Sequence, residues 1–343
     1  MNELYVIARI LVEFTLTVGK HEPYLMGKRP LRGGAQEATG ERSPGGPARL
    51  GSPRSRGRIL ASIRKMSTQP DNARRFLSLH VPGDPLLLPN PWDEGSARVL
   101  ASRGFAALAT TSSGHAMSLG RMDGEVSRDE ALAHAGRIVS ATPLPVSADL
   151  ERGFADDPAG VAGTVELAKQ AGLAGCSIED FTGRAAEPIY GTGLAAERIA
   201  AAAEAAHAGP AGLVLTARAE NYLHGRPDLG DTIARLQAFQ EAGADVLYAP
   251  GLTGMDDIRQ LIRSVDRPVN VLLLPGAPSV PELAAAGVSR VSVGGAFGFA
   301  MLAALADAAD ELRGAGPYTF LGRAGAGRAL AREAFGETTP PAG

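Results

Sequence analysis

Charged side chains follow three apolar runs of the sequence. The runs are 144–148, 175–178 and 212–217. The charged residues that follow them are Asp149 and Glu151, Glu179 and Asp180, and Arg218 and Glu220. Buried strands that end in charged groups are typical of the catalytic edge of a parallel barrel. The pattern therefore predicts an active site built from the ends of these strands.

The acids outnumber the basic groups beside them, and clustered carboxylates repel one another unless a cation neutralises them. Oxygen ligands without a histidine pair or a second cysteine favour Mg²⁺, or Mn²⁺, over zinc. Since Mg²⁺ retains several waters and takes few carboxylates, Asp149 and Glu179 are sufficient protein ligands. Side chains alternate along a strand, so Glu179 is expected to point inward and Asp180 outward. The alternatives are a surface acid for Asp149 and, for Glu151, a loop salt bridge with Arg152.

Arg218 is the candidate for substrate binding, because a guanidinium can hold a carboxylate through two parallel hydrogen bonds. It could instead be a structural partner of Glu220. The backbone amides of Ser112, Ser113 and Gly114 could hold a second anionic group. Aromatic side chains close to the strand ends predict a small and partly apolar pocket. They are Trp92, Phe154, Phe181 and Tyr248.

The distribution of lysine narrows the possible mechanisms. Residues 66–343 contain a single lysine, Lys169, in a helix-patterned stretch that is expected on the outside of the fold. An enzyme that forms an imine with its substrate needs a buried lysine at a strand end. The sequence therefore disfavours imine-forming aldolase chemistry.

Short apolar runs alternate with helix-patterned stretches from residue 85 onward. The eight runs are 86–89, 105–109, 144–148, 175–178, 212–217, 246–249, 269–274 and 290–293. The stretches between them are 94–103, 128–141, 161–171, 194–207, 229–241, 255–265 and 280–286. This alternation indicates parallel βαβ units and predicts an α/β protein with a (β/α)8 TIM barrel. The alternative, an open doubly wound sheet, needs a glycine-rich turn after the first strand, and the sequence has none there. Stretches 297–313 and 328–335 predict extra C-terminal helices, packed on the barrel or on a neighbouring subunit.

Charge is unevenly distributed along the 343 residues. Residues 1–65 contain 12 Lys and Arg against 5 Asp and Glu, whereas residues 66–343 contain 22 against 32. Gly, Pro, Arg and Ser dominate 33–58, a composition that buries too little apolar surface to fold. Residues 1–65 are therefore predicted to be a disordered extension or an over-long translation start, and 66–343 the barrel domain with its helical tail.

Composition also limits the partners and the location. The acidic body argues against a nucleic-acid partner. The apolar run 4–18 is interrupted by Arg9 and Glu13, so it is too short and too charged to span a bilayer. A single cysteine, Cys176, excludes an intramolecular disulfide and fits a reducing cytoplasm. The expected partner is a small carboxylate substrate, without nucleic acid or membrane.

Five motifs together resemble the isocitrate lyase/phosphoenolpyruvate mutase superfamily over roughly residues 70–323. They are Thr111-Ser-Ser-Gly114, Ser147-Ala-Asp-Leu-Glu151, Ser177-Ile-Glu-Asp180, Thr216-Ala-Arg-Ala-Glu220 and Ala242-Gly-Ala-Asp245. The resemblance implies a Mg²⁺-binding barrel that exchanges its eighth helix between subunits of a homodimer or homotetramer and forms pyruvate-like enolates. It implies substrate contacts for Ser113 and Gly114, and support of the metal's waters by Asp123. With Arg218 and Glu179, Asp123 completes the predicted catalytic set.

Two departures from the family pattern bear on the activity. Ser147 stands where the family usually has the first Asp of an Asp-Ala-Asp motif, commonly the direct metal ligand. Our hypothesis is that Glu151 supplies the missing charge as a third metal-site carboxylate. The loop 181–188 lacks the Lys-Lys-Cys-Gly-His sequence of the related lyases and the lysine of the mutases, which disfavours the usual lyase reaction. Arg184 could take a cationic role there, but a guanidinium cannot donate a proton near neutral pH.

These features predict a Mg²⁺-dependent enzyme that cleaves a C–C bond of a small 2-oxo or 2-hydroxy carboxylate through an enolate. The candidates for the general acid are Tyr190, Tyr222 and His224. Two alternatives stay open. One is a phosphoenolpyruvate/phosphonopyruvate mutase-like enzyme that acts on a P–C bond. The other is a barrel without catalysis that binds a carboxylate ligand or a protein partner.

Overall fold

Eight short parallel strands form the centre of the computed structural model, which describes residues 69–210, 212–314 and 316–336. The strands are β1 (Leu86–Leu88), β2 (Leu108–Ala109), β3 (Val146–Asp149), β4 (Gly175–Glu179), β5 (Val214–Arg218), β6 (Val246–Tyr248), β7 (Val269–Leu272) and β8 (Arg290–Ser292). Each strand pairs with its sequence neighbour from β2 to β8, and β8 pairs with β1. This order confirms the predicted (β/α)8 barrel. The predicted extension at 1–65 lies outside the described residues and stays a prediction.

Helices surround the strands in the described part of the chain. They are α1 (Gln69–Ser78), α2 (Glu94–Ser102), α3 (Ser112–Ser118), α4 (Arg128–Ala141), α5 (Pro158–Gln170), α6 (Thr192–His207), α7 (Leu229–Glu241), α8 (Met255–Ser264), α9 (Val280–Ala285), α10 (Ala296–Arg313) and α11 (Phe320–Phe335). Local sequence fixes several of their first residues: Ser127 and Glu130 form a capping box that starts α4. Within the described ranges, none of these helices combines the length and the apolar character that crossing a bilayer requires.

Helix α1, which the sequence pattern did not predict, closes the amino-terminal end of the barrel. The ring of Phe76 is fully buried and packs against β4. A Cβ atom on Gly175 would lie 2.8 Å from that ring and 2.9 Å from the carbonyl oxygen of Val214. Glycine is therefore required at position 175, and the floor of the barrel is sealed by packing. The opposite end, where the strands finish, remains available for chemistry.

The seam between β1 and β2 is closed without a strand ladder. One backbone hydrogen bond crosses it, from the Ala109 amide to the Pro89 carbonyl, at 3.1 Å. The side chain of Asn90 donates to the Thr110 carbonyl at 3.1 Å and accepts from two amides that follow β8, at 3.0 Å each. Asn90 thus joins the ends of β1, β2 and β8, which holds the rim of the barrel in a fixed shape.

The predicted C-terminal helices are present as α10 and α11, and α11 packs against α2. Helix α10 carries large apolar side chains that are 38–63% exposed, whereas its buried position is a glycine, Gly298. These side chains are Phe297, Phe299, Met301, Leu302, Leu305 and Leu312. Helix α10 therefore exposes an apolar surface that its own barrel does not cover.

Candidate active site

Three carboxylates meet one guanidinium at the carboxyl ends of β3, β4 and β5. The two terminal nitrogens of Arg218 lie 2.9 Å from Asp149 Oδ1 and 3.2 Å from Glu179 Oε2. Its Nε lies 2.8 Å from Glu220 Oε1. The parallel register of β4 and β5 places Glu179 opposite Arg218, and the ring of Tyr248 on β6 lies 5.3 Å from the guanidinium carbon. The residues predicted from the strand ends therefore do converge.

One cation cannot neutralise three buried acids. Burial opposes the charge of Arg218, but the carboxylates of Glu220, Glu179 and Asp149 raise the pKa of its guanidinium well above the usual value. Burial also raises the pKa of the Glu179 carboxyl well above its usual value, although Arg218 opposes this rise. The carboxylates thus remain in excess, and the site favours a further positive charge.

Asp123 and Glu151 are two further acids of the site, and their surroundings oppose the charged form of each. Burial and then the charge of Asp149 raise the pKa of Asp123. Burial, Asp149 and Asp123 raise the pKa of Glu151 to about 8. The backbone of Glu151 has φ 48°, a left-handed conformation that is uncommon outside glycine and concentrates at functional sites. The alternative salt bridge is absent among the described ion pairs, because Arg152 pairs with Asp156 at 3.0 Å.

A cavity of about 190 Å³ opens beside Arg218 at the end of the barrel. Six of the predicted site residues line it: Ser112, Ser113, Asp123, Asp149, Arg218 and Tyr248. Four others, Gly114, Trp92, Glu151 and Glu179, are not among its lining residues. Ser147 also lines the cavity and is buried. The predicted site residues therefore form two groups: six of them line the cavity and four do not.

The segment Ser112–Ser118, expected to be a loop, is helix α3, whose N-cap is Thr111. The Ser112 amide and hydroxyl donate to Asp149 Oδ2 at 3.2 and 2.9 Å. The Gly114 amide donates to Thr111 Oγ1 at 3.3 Å, and a Cβ on Gly114 would lie 2.5 Å from Thr111 Cγ2. Two of the three amides predicted to bind an anion therefore already have acceptors. The predicted anion contact remains for the Ser113 amide alone.

A buried arginine on α6 fixes the two loops beside the acids. Arg198 donates to the Glu179 carbonyl at 3.1 Å and to the Ala155 carbonyl at 3.0 Å, and it also donates to the Arg152 carbonyl. Its guanidinium carbon lies 4.2 Å from the centre of the Tyr190 ring. Arg198 thereby sets the backbone on both sides of the acid cluster without entering the cavity.

The residues predicted as general acids lie away from the described cavity lining. The hydroxyl of Tyr190 bonds to Asp156, which also accepts from Arg184 at 3.1 Å. His224 stacks on Phe181, with ring centroids 3.9 Å apart, and Tyr222 is not a lining residue either. Arg184 thus fastens the loop that follows β4 to the loop that follows β3. None of these three side chains lines the cavity, and their role as general acid stays a prediction.

Sequence reasoning missed several polar residues that line the cavity from inside the barrel, namely Arg290 and Ser292 on β8 and Asn270 on β7. Side chains two apart on a strand share a face. The alternation of polar and apolar residues in Arg290–Ser292 could have indicated that Arg290 and Ser292 share one face of the strand. Taken as a whole, the run predicts only an apolar strand. Arg290 is nevertheless buried at 4% exposure.

The donor set fits a water-rich magnesium ion. Asp123, Asp149 and Glu151 supply hard oxygen atoms, and burial, followed by the charge of Asp149, raises the pKa of Asp123 and Glu151. Within the described ranges, no three His, Cys, Asp or Glu side chains are gathered closely enough to hold one ion directly. Mg²⁺ commonly binds through one or two carboxylates and several waters, which suits this arrangement.

Replacing Arg218 with Met leaves three buried carboxylates without their shared ion pair. The free energy of unfolding is expected to fall by about 3–5 kcal/mol near neutral pH. Burial raises the folded-state pKa of Glu179 and Glu220, so their protonated forms stabilise the folded state below about pH 4, and that stability is lost as pH rises through the folded pKa. Urea unfolding should therefore show a larger deficit at pH 8 than at pH 4.5.

The matched control is Arg259→Met, which breaks an exposed pair with Asp256 (3.2 Å). It should cause no measurable loss at either pH. A deficit of equal size for Arg218→Met at both pH values would contradict the role of Arg218 as the shared ion-pair partner of buried acids.

Comparison with known proteins identifies the relatives of this chain. The model of the phosphoenolpyruvate phosphomutase family matches residues 76–313, more than half of the chain. A proposed lyase/mutase from Burkholderia cenocepacia J2315 is 54% identical with a TM-score of 0.75, over 79% of this chain and 97% of that one. An uncharacterized protein of Mycobacterium tuberculosis is 35% identical over 222 residues, 64% of this chain and 81% of its own length.

The structure of a 2,3-dimethylmalate lyase is 29% identical with a TM-score of 0.65, over 72% of this chain and 88% of that one. It is a member of the PEP mutase/isocitrate lyase superfamily. Relatives of this kind are carbon–carbon lyases and phosphomutases, which confirms the predicted enzyme class. The chain belongs to the phosphoenolpyruvate phosphomutase family, within the isocitrate lyase/phosphoenolpyruvate mutase superfamily.

Proposed function

We propose that this protein is a Mg²⁺-dependent lyase that cleaves a C–C bond of a small 2-oxo or 2-hydroxy carboxylate through an enolate. The observation that carries the proposal is the contact of Arg218 with Asp149, Glu179 and Glu220 beside the cavity. A cation held rigidly at a cavity wall is suited to stabilise negative charge that develops on an enolate oxygen. The likeness to a 2,3-dimethylmalate lyase supports this choice of bond.

In this proposal Arg218 binds the substrate, and the three carboxylates fix its orientation. Glu179 orients Arg218 without contacting the substrate, because it contacts Arg218 but does not line the cavity. Ser113 and Tyr248 also line the cavity and would contact the substrate. Preorganised donors cost little reorganisation during the reaction, so the packing that holds Arg218 contributes to catalysis.

Asp149 is the proposed direct ligand of Mg²⁺, with Asp123 and Glu151 holding its waters. When bound, the ion supplies a positive charge that polarises the substrate carbonyl. Ser147 on β3 faces the cavity where a carboxylate would give the ion a stronger ligand. Glu151 therefore restores negative charge from the loop that follows the same strand.

The activity is tested with oxaloacetate, 2,3-dialkylmalates, methylisocitrate and phosphonopyruvate in the presence of Mg²⁺. At least one C–C bond substrate should be turned over, and Arg218→Lys should lower kcat/KM about 10²–10³-fold because the forked donor geometry is lost. The readout is the disappearance of each compound together with identification of the products formed from it. Turnover of phosphonopyruvate alone would identify a P–C bond enzyme. Oxalate binding with no turnover of any compound would identify a carboxylate-binding barrel.

The metal site is tested by calorimetric Mg²⁺ titration without substrate. Glu151→Gln should weaken binding about tenfold, since outer residues that orient a metal site typically contribute that much. Ser147→Asp should strengthen binding, because it adds a carboxylate beside Asp149. The exposed variant Asp256→Asn should match the wild type. An unchanged affinity in Glu151→Gln would remove Glu151 from the metal site.

We also propose a homodimer or homotetramer formed through α10. The exposed apolar side chains of this helix lie along most of its length, and contiguous exposed apolar surface marks interaction sites. Leu305 and Leu312 are each 63% exposed, and a second copy of this helix would cover them.

Light scattering coupled to size-exclusion chromatography tests this assembly. The wild type should elute as a dimer or tetramer, and Leu305→Glu should shift it to the monomer, because burying an unpaired charge is unfavourable. Asp307→Asn, a change on the same helix that adds no charge, should keep the wild-type mass. A monomeric wild type at micromolar concentration would exclude the proposal.

A further inference from the structure

Arg290 extends from β8 into the interior of the barrel. Its NH1 atom donates to Thr216 Oγ1 on β5 at 3.1 Å and to His80 Nε2 at 3.3 Å. The residue is 4% exposed and lines the same cavity as Arg218. The guanidinium therefore lies in the barrel interior and forms part of the cavity wall.

The charge of Arg290 has no acidic partner among the described ion pairs. Arg218 contacts three carboxylates and Arg235 contacts two, Asp180 and Asp231. Burial lowers the pKa of Arg290 to about 10, the phenol of Tyr248 raises it, and the charge of Arg218 lowers it further. Arg290 is thus charged at neutral pH, and the charged side chain that shifts its pKa is another cation, Arg218.

His80 cannot supply the missing negative charge. Burial, followed by the charge of Arg290, lowers the pKa of His80 to about 3, so the imidazole is neutral. Its Nδ1 lies 2.9 Å from the Phe76 carbonyl, to which it donates, and its Nε2 accepts from Arg290. The imidazole thereby fixes one end of the guanidinium to the floor of the barrel.

The neighbours of Arg290 on the cavity wall are polar and neutral. Asn270 is its register partner on β7, and the Asn270 amide nitrogen donates to Ser292 Oγ at 3.0 Å. Asn270 Oδ1 and Arg290 Nε both lack a hydrogen-bond partner among the described groups. An unpaired buried charge is costly, and such groups are retained where they bind something.

We infer that Arg290, with Asn270 and Ser292, forms a second anion subsite, which binds the substrate carboxylate remote from the enolate-forming carbon. The inference rests on the proposed function, since Arg218 then holds the reacting end. Two cations on one small cavity would make the enzyme select dicarboxylates over monocarboxylates of equal chain length. Arg290 is accordingly a specificity-determining residue.

Binding of three small acids in the presence of Mg²⁺ tests the subsite, measured by calorimetry. Oxalate probes the reacting end alone. Malate and 2-hydroxybutyrate share a four-carbon chain and differ in having a carboxylate or a methyl group at its far end. Wild-type protein should bind malate about ten- to a hundredfold more tightly than 2-hydroxybutyrate, as expected for a hydrogen bond between charged groups. Arg290→Met should remove this preference and keep the oxalate affinity within about twofold.

A second variant keeps the inference testable if Arg290→Met does not fold. Asn270→Asp places a carboxylate on the strand position paired with Arg290. It should raise Tm, because the buried charge gains a partner, and it should remove the malate preference. Gln260→Glu adds the same charge at an exposed position and should change neither property.

The outcomes separate the two proposals. Failure of the wild type to bind oxalate would contradict both the proposed function and the subsite. Oxalate binding without any preference for malate, or a preference that persists in Arg290→Met, overturns the subsite alone. A lower Tm for Asn270→Asp also overturns it, since Arg290 would then need no negative partner.

Discussion

The structure of the site depends on one guanidinium that three separate strands supply with carboxylates. Arg218 uses both terminal nitrogens and its Nε on protein acids, so its position is determined from three directions. Breaking such a buried arrangement is expensive, because the charges that remain have no water to stabilise them. The arrangement also places several buried carboxyl groups around one cation, and the divalent ion of the proposed function would favour their ionised forms.

The rest of the barrel keeps these charges in register. Phe76 seals the opposite end by packing, which leaves the carboxyl ends of the strands free for polar groups. Asn90 joins the rim across the seam where β1 and β2 lack a ladder. Arg198 fixes the carbonyls of the two loops beside Glu179. Of these three residues only Asn90 lines the cavity, so the packing of Phe76 and the contacts of Arg198 support the site from outside it.

The sequence was most informative about features that depend on the residues of one strand, namely its position and the faces to which its side chains point. The apolar runs located all eight strands. Alternation predicted that Glu179 and Asp180 point to opposite sides of the strand, and in the structure they pair with different arginines, Arg218 and Arg235. It was least informative where contacts cross the barrel. The pairing of Arg290 with Thr216 joins β8 to β5 over 74 positions, and no local pattern encodes such a contact. The hydrogen bond from the Ser112 amide to Asp149 joins residues 37 positions apart, and no local pattern predicts it either.

The replacement of an acid by Ser147 alters where negative charge is held. A carboxylate on β3 would be fixed by the strand itself, whereas Glu151 lies in the loop beyond it. A loop residue is usually a less precise ligand, because more of its backbone can move. Here the loop is constrained: Glu151 has a left-handed backbone, its carbonyl accepts from the Glu179 amide at 3.0 Å, and Arg198 holds the Arg152 carbonyl. In the proposed metal site, this left-handed backbone would hold the Glu151 carboxylate at one place, as a group that binds a metal ion or its waters requires.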